Sequence, residues 1–327
     1  MLCFDDILLL PQYSEVLSRH SVDLTIPGMP FNPLVASPMD TVVNSQVAIT
    51  MAEQGGIAVL HRYNTVAEQV SSFQACAEKA PNTFCAIGVT GDYQERARAL
   101  YEAGCYNFCI DVAHGHHILM KNALTWVRKH YGVTIMAGNV ATLEGFNALA
   151  DWGADMIRVG IGGGSVCTTR IQTGHGIPTL TSILECAKSD RKALLVADGG
   201  IRNSGDIVKA LACGADMVMI GFLLAGHKES PGEIIYLDGR PYKEYRGMAS
   251  SSAQKDWRGK VSVEEGVSTT VPYRGKLVTT LEVLKAGIRS GCSYSGVATI
   301  GELKSKAKWE QVTTNTAGEN APHARGK

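Results

Sequence analysis

The chain is expected to fold as a single α/β domain of the (β/α)8, or TIM, barrel class, on three observations. Short apolar runs rich in Val, Ile and Leu recur eight times: PLVASPM (33–39), IAVLH (57–61), FCAIGV (84–89), YNFCIDV (106–112), TIMAGNV (134–140), MIRVGIG (156–162), ALLVADGG (193–200) and MVMIGF (217–222). None alternates polar with apolar, so each reads as a strand covered on both faces, with crossover helices in the intervening lengths. Polar and glycine residues gather at the C-terminal ends of the runs: Met39-Asp40, His61-Arg62, Asp111, Asn139, Gly162–Ser165, Asp198–Gly200 and Gly221. Barrel enzymes assemble their sites on that face, which favours the closed barrel over a doubly wound open sheet.

Three helix-to-strand joints carry related text, EAGCYNFCIDV, DWGADMIRVGI and ACGADMVMIGF, with Gly104, Gly153 and Gly214 where a helix must stop. A repeated αβ unit results. Residues 223–276 interrupt it with a Pro- and Gly-punctuated segment, predicted to hold short strands around Ile234–Tyr236 and Tyr242–Tyr245 and to lie over the barrel mouth as a hairpin and lid. A helix over 278–290 (VTTLEVLKAGIRS) should close the ring, completing a catalytic barrel domain over 1–312. From 313 to 327 the polar tail lacks periodicity and is expected to be disordered.

Composition narrows the function. Hydrophobic residues make 45% and charged residues 19% of 327, and Lys plus Arg balance Asp plus Glu at 31 each. No long-range positive field exists to gather nucleic acid or an anionic membrane, so any phosphate must be held locally. Nine cysteines, with no CxxC, lie mostly in apolar runs and suit a reducing compartment. No apolar stretch approaches the roughly 18 residues of a membrane span, and no leader is recognisable, so a soluble cytoplasmic protein is expected.

The chemistry concentrates in VGIGGGSVCTTR (159–170). A glycine-rich segment leaving a strand can press backbone N–H groups on a phosphate, and a thiol at its far end then sits beside whatever that phosphate carries. ADGG (197–200) and IGF (220–222) end the last two runs, whose loops form the recurrent phosphate site of such barrels. Asp198 can accept from a ribose diol, while Gly199, Gly200 and Gly221 offer bare N–H groups. One such loop would suggest only a tight turn; three on one face point to a bound nucleotide. Cys167, followed by Thr168 and Thr169, is the candidate nucleophile, since a thiolate adds readily to an electron-poor purine carbon. The other eight cysteines are read as packing residues. HGHH (114–117) lacks the spaced acidic or thiol ligands that a tetrahedral metal site needs. GIGGGS imitates a dinucleotide fingerprint without the acidic residue about twenty positions on.

These segments, with FDDILLLPQ (4–12), SPMDTV (37–42), AGNVAT (137–142), ADGGIRNSGDIVKAL (197–211), YRGMAS (245–250) and GIRSGCSYSG (287–296), resemble the IMP dehydrogenase/GMP reductase barrels over nearly the whole chain. The resemblance implies a purine mononucleotide with its base over Cys167, its ribose on Asp198, and its phosphate on Ser165, Gly200, Gly221 and Tyr245, with the N–H of Phe222 available to the phosphate. Ser37 and Met39 look like substrate contacts of the first loop, and Met248 with Ser250 like those reading the base edge; Asn139, Gly199 and Gly247 complete the substrate set. Asp111, Val112 and Ala113 fall where the family lays the nicotinamide ribose. The carbonyls of Gly162, Gly164 and Cys167 resemble those that hold a monovalent cation such as K+ in the dehydrogenases.

Within the family, the chain looks most like a GMP reductase. No regulatory module interrupts Ser71–Pro81, only KDWRGKVSV (255–263) separates the base loop from Glu264-Glu265-Gly266, and the Arg-Tyr pair of the dehydrogenase flap is absent. The resemblance then implies that the Cys167 thiolate attacks the purine carbon bearing the amino group. Ammonia leaves with proton help from Thr169 and Glu265, and hydride from NADPH releases IMP from the thioimidate. Departures are Gly163 where both branches have proline, Phe222 where a small residue is usual, and a missing arginine before the Glu-Gly pair. The alternatives are an IMP dehydrogenase that uses NAD and water, and a non-catalytic purine-nucleotide-binding barrel. Similar proteins are homotetramers, and the same is expected here.

Overall fold

Eight strands, from Leu34–Ala36 to Met217–Ile220, pair in sequence order and the last returns to the first, where Val35 lies opposite Met219, so the sheet closes as a parallel barrel. The computed structural model describes residues 1–313 together with 316, 319 and 320; the expected disorder of the tail falls outside these residues but for isolated positions. In chain order the elements are β1 (Ile7–Leu9), β2 (Leu34–Ala36), α1 (Ser45–Glu53), β3 (Ile57–Leu60), α2 (Val66–Ala77), β4 (Phe84–Ile87), α3 (Tyr93–Glu102), β5 (Asn107–Asp111), α4 (Ile118–His130), β6 (Thr134–Val140), α5 (Leu143–Asp151), β7 (Met156–Val159), α6 (Thr169–Thr173), α7 (Thr179–Cys186), β8 (Leu194–Asp198), α8 (Ser204–Ala212) and β9 (Met217–Ile220). After the barrel come β10 (Ile235–Leu237), β11 (Arg240–Arg246), α9 (Ser251–Arg258), β12 (Ser268–Pro272), α10 (Leu277–Tyr294), α11 (Ile300–Lys306) and β13 (Trp309–Gln311).

The helices start where polar side chains can take their orphan N–H groups. Asn44 accepts from Val47 N, Thr142 from Gly145 N and Asn203 from Asp206 N, while Thr65 and Glu68 form a reciprocal box ahead of α2. α5 stops at the DWGAD joint, where Gly153 holds φ +107, a left-handed conformation open to glycine.

Inward and outward residues alternate along each strand even though both faces are buried. Val35, Val59, Phe84, Ala86, Cys109, Met136, Met156, Val196, Met217 and Met219 fill the barrel interior, with Ile26 and Phe31 of the N-terminal segment added to the same cluster. The intervening residues, Ala36, Leu60, Cys85, Phe108, Ile110, Ala137, Ile157, Leu195 and Val218 among them, pack in the cluster formed with the helices. Each fully buried large side chain contributes about 1.5–3 kcal/mol by leaving water.

Three elements differ from the expected bounds. β10 begins one residue later than the predicted strand, β11 extends past Tyr242–Tyr245 in both directions, and α10 runs four residues beyond 290. β12 completes a three-stranded antiparallel sheet with β10 and β11, and β1 pairs with β13, tying the two ends of the described chain together. Among the described residues no helix is long and apolar enough to cross a membrane.

Candidate active site

Cys167 stands on the loop between β7 and α6, half-buried, on the wall of a cleft of about 1480 Å3 at the C-terminal end of the barrel. A turn bond from Cys167 N to Gly164 O, 3.1 Å, shapes the loop. The segment after α9 clamps it from outside: Cys167 bridges Gly266, Thr168 N donates to Glu265 O at 3.0 Å, Thr168 Oγ1 donates to Glu264 O at 3.1 Å and Val267 N donates to Val166 O at 3.0 Å. This pairing delivers a carboxylate from about a hundred residues away. The Cys167 thiol faces Thr169 Oγ1 at 3.2 Å, and Thr169 Oγ1 donates to Glu265 Oε2 at 2.8 Å. A thiol and a carboxyl group are thus joined through one hydroxyl.

On the other side of the thiol, Ser165 Oγ meets Tyr245 Oη at 2.8 Å, so β11 contributes a phenol to the glycine loop. Burial raises the Tyr245 pKa, and the hydroxyl remains a neutral donor at physiological pH. Gly221 lies against the same phenol: a Cβ there would come 3.5 Å from Tyr245 Oη and 3.0 Å from Met39 Sδ. The N–H groups of Gly221 and Phe222 have no acceptor among the described residues. Two hydroxyls thus lie beside a glycine turn with unused N–H groups, an arrangement able to receive an anion.

Beneath the cleft, the uppermost layer of the barrel interior is ionic. Arg158, 6% exposed, comes from the strand text MIRV and bridges two carboxylates. Nη1 reaches Asp111 Oδ1 at 2.5 Å, while Nε and Nη2 reach Asp198 Oδ2 at 3.1 and 2.8 Å. Gly138, opposite Arg158 on β6, leaves it room, since a Cβ there would lie 2.6 Å from Arg158 Cβ. Asn139 Nδ2 adds a bond to Asp198 Oδ2 at 2.8 Å, which leaves Oδ1 of Asp198 for a ligand. Asp111 also takes Tyr63 Oη at 3.3 Å and has Arg62 Nε at 3.7 Å. Burial alone would raise the Asp111 pKa; the Arg158 and Arg62 charges and the bonds from Arg158 and Tyr63 outweigh it and hold the carboxyl below its usual range. Burial likewise pushes the Cys109 thiol, 3.7 Å from Arg158, up to about 12.

Gly160 joins this floor to the loop that carries Cys167. Its φ is +144, its carbonyl accepts from Asn139 Nδ2 at 2.8 Å, and a Cβ would stand 1.9 Å from the carbonyl oxygen of Asp198. Gly160→Ala is expected to cost more than about 3 kcal/mol, combining backbone strain with a backbone clash. Urea unfolding checks it; a loss under about 1 kcal/mol contradicts the packing described.

The cleft continues past Asp111, Val112 and Ala113 to Arg62, Asn64 and Thr90 at the ends of β3 and β4. Trp257 of α9 covers that end, edge-on to Tyr63 with ring centroids 5.0 Å apart and with the Arg258 guanidinium stacked 4.1 Å from its own centroid. At this volume the cleft exceeds the usual room for one ligand of drug size.

A family model described as "IMP dehydrogenase / GMP reductase domain" matches residues 1–323. The chain belongs to the IMP dehydrogenase/GMP reductase family. The inosine-5'-monophosphate dehydrogenase of Nitrosopumilus maritimus is 30% identical over 468 aligned positions that cover 98% of each chain. That of Cryptosporidium parvum is 36% identical, covering 98% of this chain and 94% of the relative. The GMP reductase of Ascaris suum is 37% identical over 337 positions, 96% of this chain and 93% of the relative. The family is one of oxidoreductases of purine metabolism built on this barrel.

Of the residues expected at a family site, Ser37, Met39, Asp111, Val112, Ala113, Asn139, Gly162, Gly164, Ser165, Cys167, Thr169, Asp198, Gly199, Tyr245, Gly247, Met248 and Glu265 all line the cleft. Ser250 does not. It is fully buried and accepts from Ala253 N at 3.3 Å as the N-cap of α9, so its hydroxyl is turned into the helix rather than to a base edge. A Cβ on Gly200 would point to Phe4 and Thr179, behind the loop, and the Phe222 ring packs away from the cleft against Tyr245 and Arg274. In HGHH, His117 caps α4 by accepting from Leu119 N at 3.1 Å and His116 packs over Trp152. Arg158 and Tyr63 were absent from the expected set. A lone arginine inside an apolar barrel strand was the available signal for the first; the second had none.

Proposed function

We propose that the chain is a GMP reductase, converting GMP to IMP and ammonia with NADPH through a covalent intermediate on Cys167. The unbroken series from Cys167 Sγ to Thr169 Oγ1 to Glu265 Oε2 carries this reading. Discarding an amine requires a proton delivered beside the carbon that the sulfur attacks, and a carboxylic acid acting through a hydroxyl supplies one. The thiolate bonds to the purine carbon bearing the amino group, and the carbon–nitrogen bond breaks as a proton passes from Glu265 through Thr169. Bound NADPH supplies the hydride, and the carbon–sulfur bond then breaks to return the thiolate. Asp198, oriented by Arg158 and Asn139, holds the ribose; Ser165, Tyr245 and the N–H groups of Gly221 and Phe222 hold the phosphate.

The short segment between α9 and Glu264, without an Arg-Tyr pair, supports the same branch, and residues 223–276 serve as its lid. The Ascaris suum reductase aligns at close to this chain's own length, whereas the 468-position alignment with the Nitrosopumilus maritimus dehydrogenase runs well past 327 residues. By family resemblance the reading extends to a homotetramer in the cytoplasm. The loop carbonyls of Gly162, Gly164 and Cys167 offer fewer oxygens than a full K+ shell, and that of Gly164 already takes the Cys167 N–H; no step runs through a cation.

Oxidation of IMP by NAD is the second reading, favoured by the dehydrogenase names of other relatives and by VEEGVSTTVPYRGK. Purified protein supplied with GMP and NADPH, and separately with IMP and NAD, separates the two. Consumption of NADPH with release of ammonia is expected; reduction of NAD with IMP alone overturns the reductase. Glu265→Gln is expected to lower kcat about 10²- to 10³-fold with little change in KM, measured by steady-state kinetics.

A further inference from the structure

The cradle formed by Ser165, Tyr245, Gly221 and Phe222 has a cation behind it that the mechanism above does not use. Arg274 lies between β12 and α10, its backbone N–H bonded to Gly226 O at 2.8 Å. Its Nη1 donates to the carbonyl of Phe222 at 3.1 Å, and its guanidinium carbon sits 4.6 Å from the centroid of the Phe222 ring. Tyr245 packs on the same ring, with centroids 5.8 Å apart, and its hydroxyl meets Ser165. Phe222 is therefore held at its carbonyl and between an arginine and a tyrosine.

Two consequences follow from elementary chemistry. The carbonyl of Gly221 accepts from Leu224 N at 2.9 Å and Ala225 N at 3.2 Å, so in a planar trans peptide the N–H of Phe222 points the opposite way. Fixing the Phe222 carbonyl and ring holds that peptide in place. No carboxylate pairs with Arg274 among the described residues, and an arginine stays charged even where burial lowers its pKa, as it does here. A positive charge without a partner thus stands behind a loop already built to accept an anion.

We propose that Arg274 is a positioning residue for the substrate phosphate: it holds Phe222 so that the loop N–H groups meet the ester, and its charge makes the cleft select 5'-monophosphates over nucleosides. This rests on reading the cleft as a purine mononucleotide site, and it holds whether GMP or IMP is the molecule turned over. A purely structural role, fastening the β12–α10 connection to the lid, would leave that discrimination untouched.

The test is calorimetric binding of GMP, IMP, guanosine and inosine to the intact protein and to Arg274→Gln, Arg274→Lys and Arg274→Ala, with steady-state kinetics beside it. Arg274→Gln keeps a donor and removes the charge, so it serves if the alanine variant does not fold. The expected result is a loss of about tenfold or more in mononucleotide affinity for Gln, matched by a rise in KM. Guanosine and inosine binding and kcat stay within about twofold, and Lys recovers most of the loss. Equal weakening of nucleotide and nucleoside, or no change in either, overturns the inference. A wild-type protein that binds no mononucleotide overturns instead the reading of the cleft itself.

Discussion

Cys167→Ala is expected to lose roughly 10⁴-fold or more in turnover while keeping its affinity for the mononucleotide. Among the described residues Cys167 is the one cysteine that lines the cleft, and on the proposed reading its thiol forms and releases the bond to the purine carbon. Thr169 is a poorer nucleophile at neutral pH, and Glu265 is directed at Thr169 rather than at the position above Cys167. Binding, on the proposed reading, is carried by Asp198, Ser165, Tyr245 and the loop N–H groups, which the substitution leaves alone. The thiol occupies little of the cleft, and the backbone bonds from Cys167 N to Gly164 O and from Thr168 N to Glu265 O do not depend on its side chain. Single-turnover kinetics and calorimetry on the same preparation separate the two effects. Turnover within about tenfold of wild type would mean that the chemistry does not pass through sulfur.

Arg158→Met has the largest expected effect on stability, a loss of about 3–5 kcal/mol, because removing the shared cation strands two carboxylates in the barrel interior. The pH dependence should invert. In the wild type the Asp111 pKa is lowered by folding, so its contribution is complete above the unfolded value of about 4 and is lost as pH falls through the folded pKa. In the variant Asp111 loses the nearer of its two arginines and keeps only Arg62. Its folded pKa rises, the folded state binds more protons than the unfolded one, and stability declines as pH increases through that raised value. Urea unfolding from acidic to alkaline pH checks this: the wild type should gain stability on leaving the acid range, whereas the variant should lose it. Parallel profiles would show that Arg158 does not hold Asp111 ionised.

The barrel was legible because burial of both strand faces leaves an unbroken apolar run, and eight such runs with functional residues at one end permit few architectures. Strand interiors were harder. β7 reads as four buried residues, yet the alternation that puts Met156 and Arg158 inside and Ile157 and Val159 outside emerges only once the sheet closes. Glu265 was named from resemblance, and its pairing with Thr169 depends on a bridge between Cys167 and Gly266 that no local pattern encodes. Ser250 shows the opposite limit: a serine at the base loop and a serine at a helix N-cap look alike in sequence, and the demand of α9 for a cap decides its role. β12 has only five residues, ends in proline and is defined by its partner β11, so its own text could not announce it. The Phe222 ring finds its place between Arg274 and Tyr245, contacts made by residues 52 and 23 positions away.

Acid-quenching the protein during turnover of GMP with NADPH, followed by intact-mass and peptide analysis, tests most directly whether this thiol attacks an anchored purine mononucleotide. A nucleotide adduct confined to the peptide bearing Cys167, and lost in Cys167→Ala, is expected. An unmodified Cys167 throughout turnover, together with undiminished activity in the alanine variant, would contradict it.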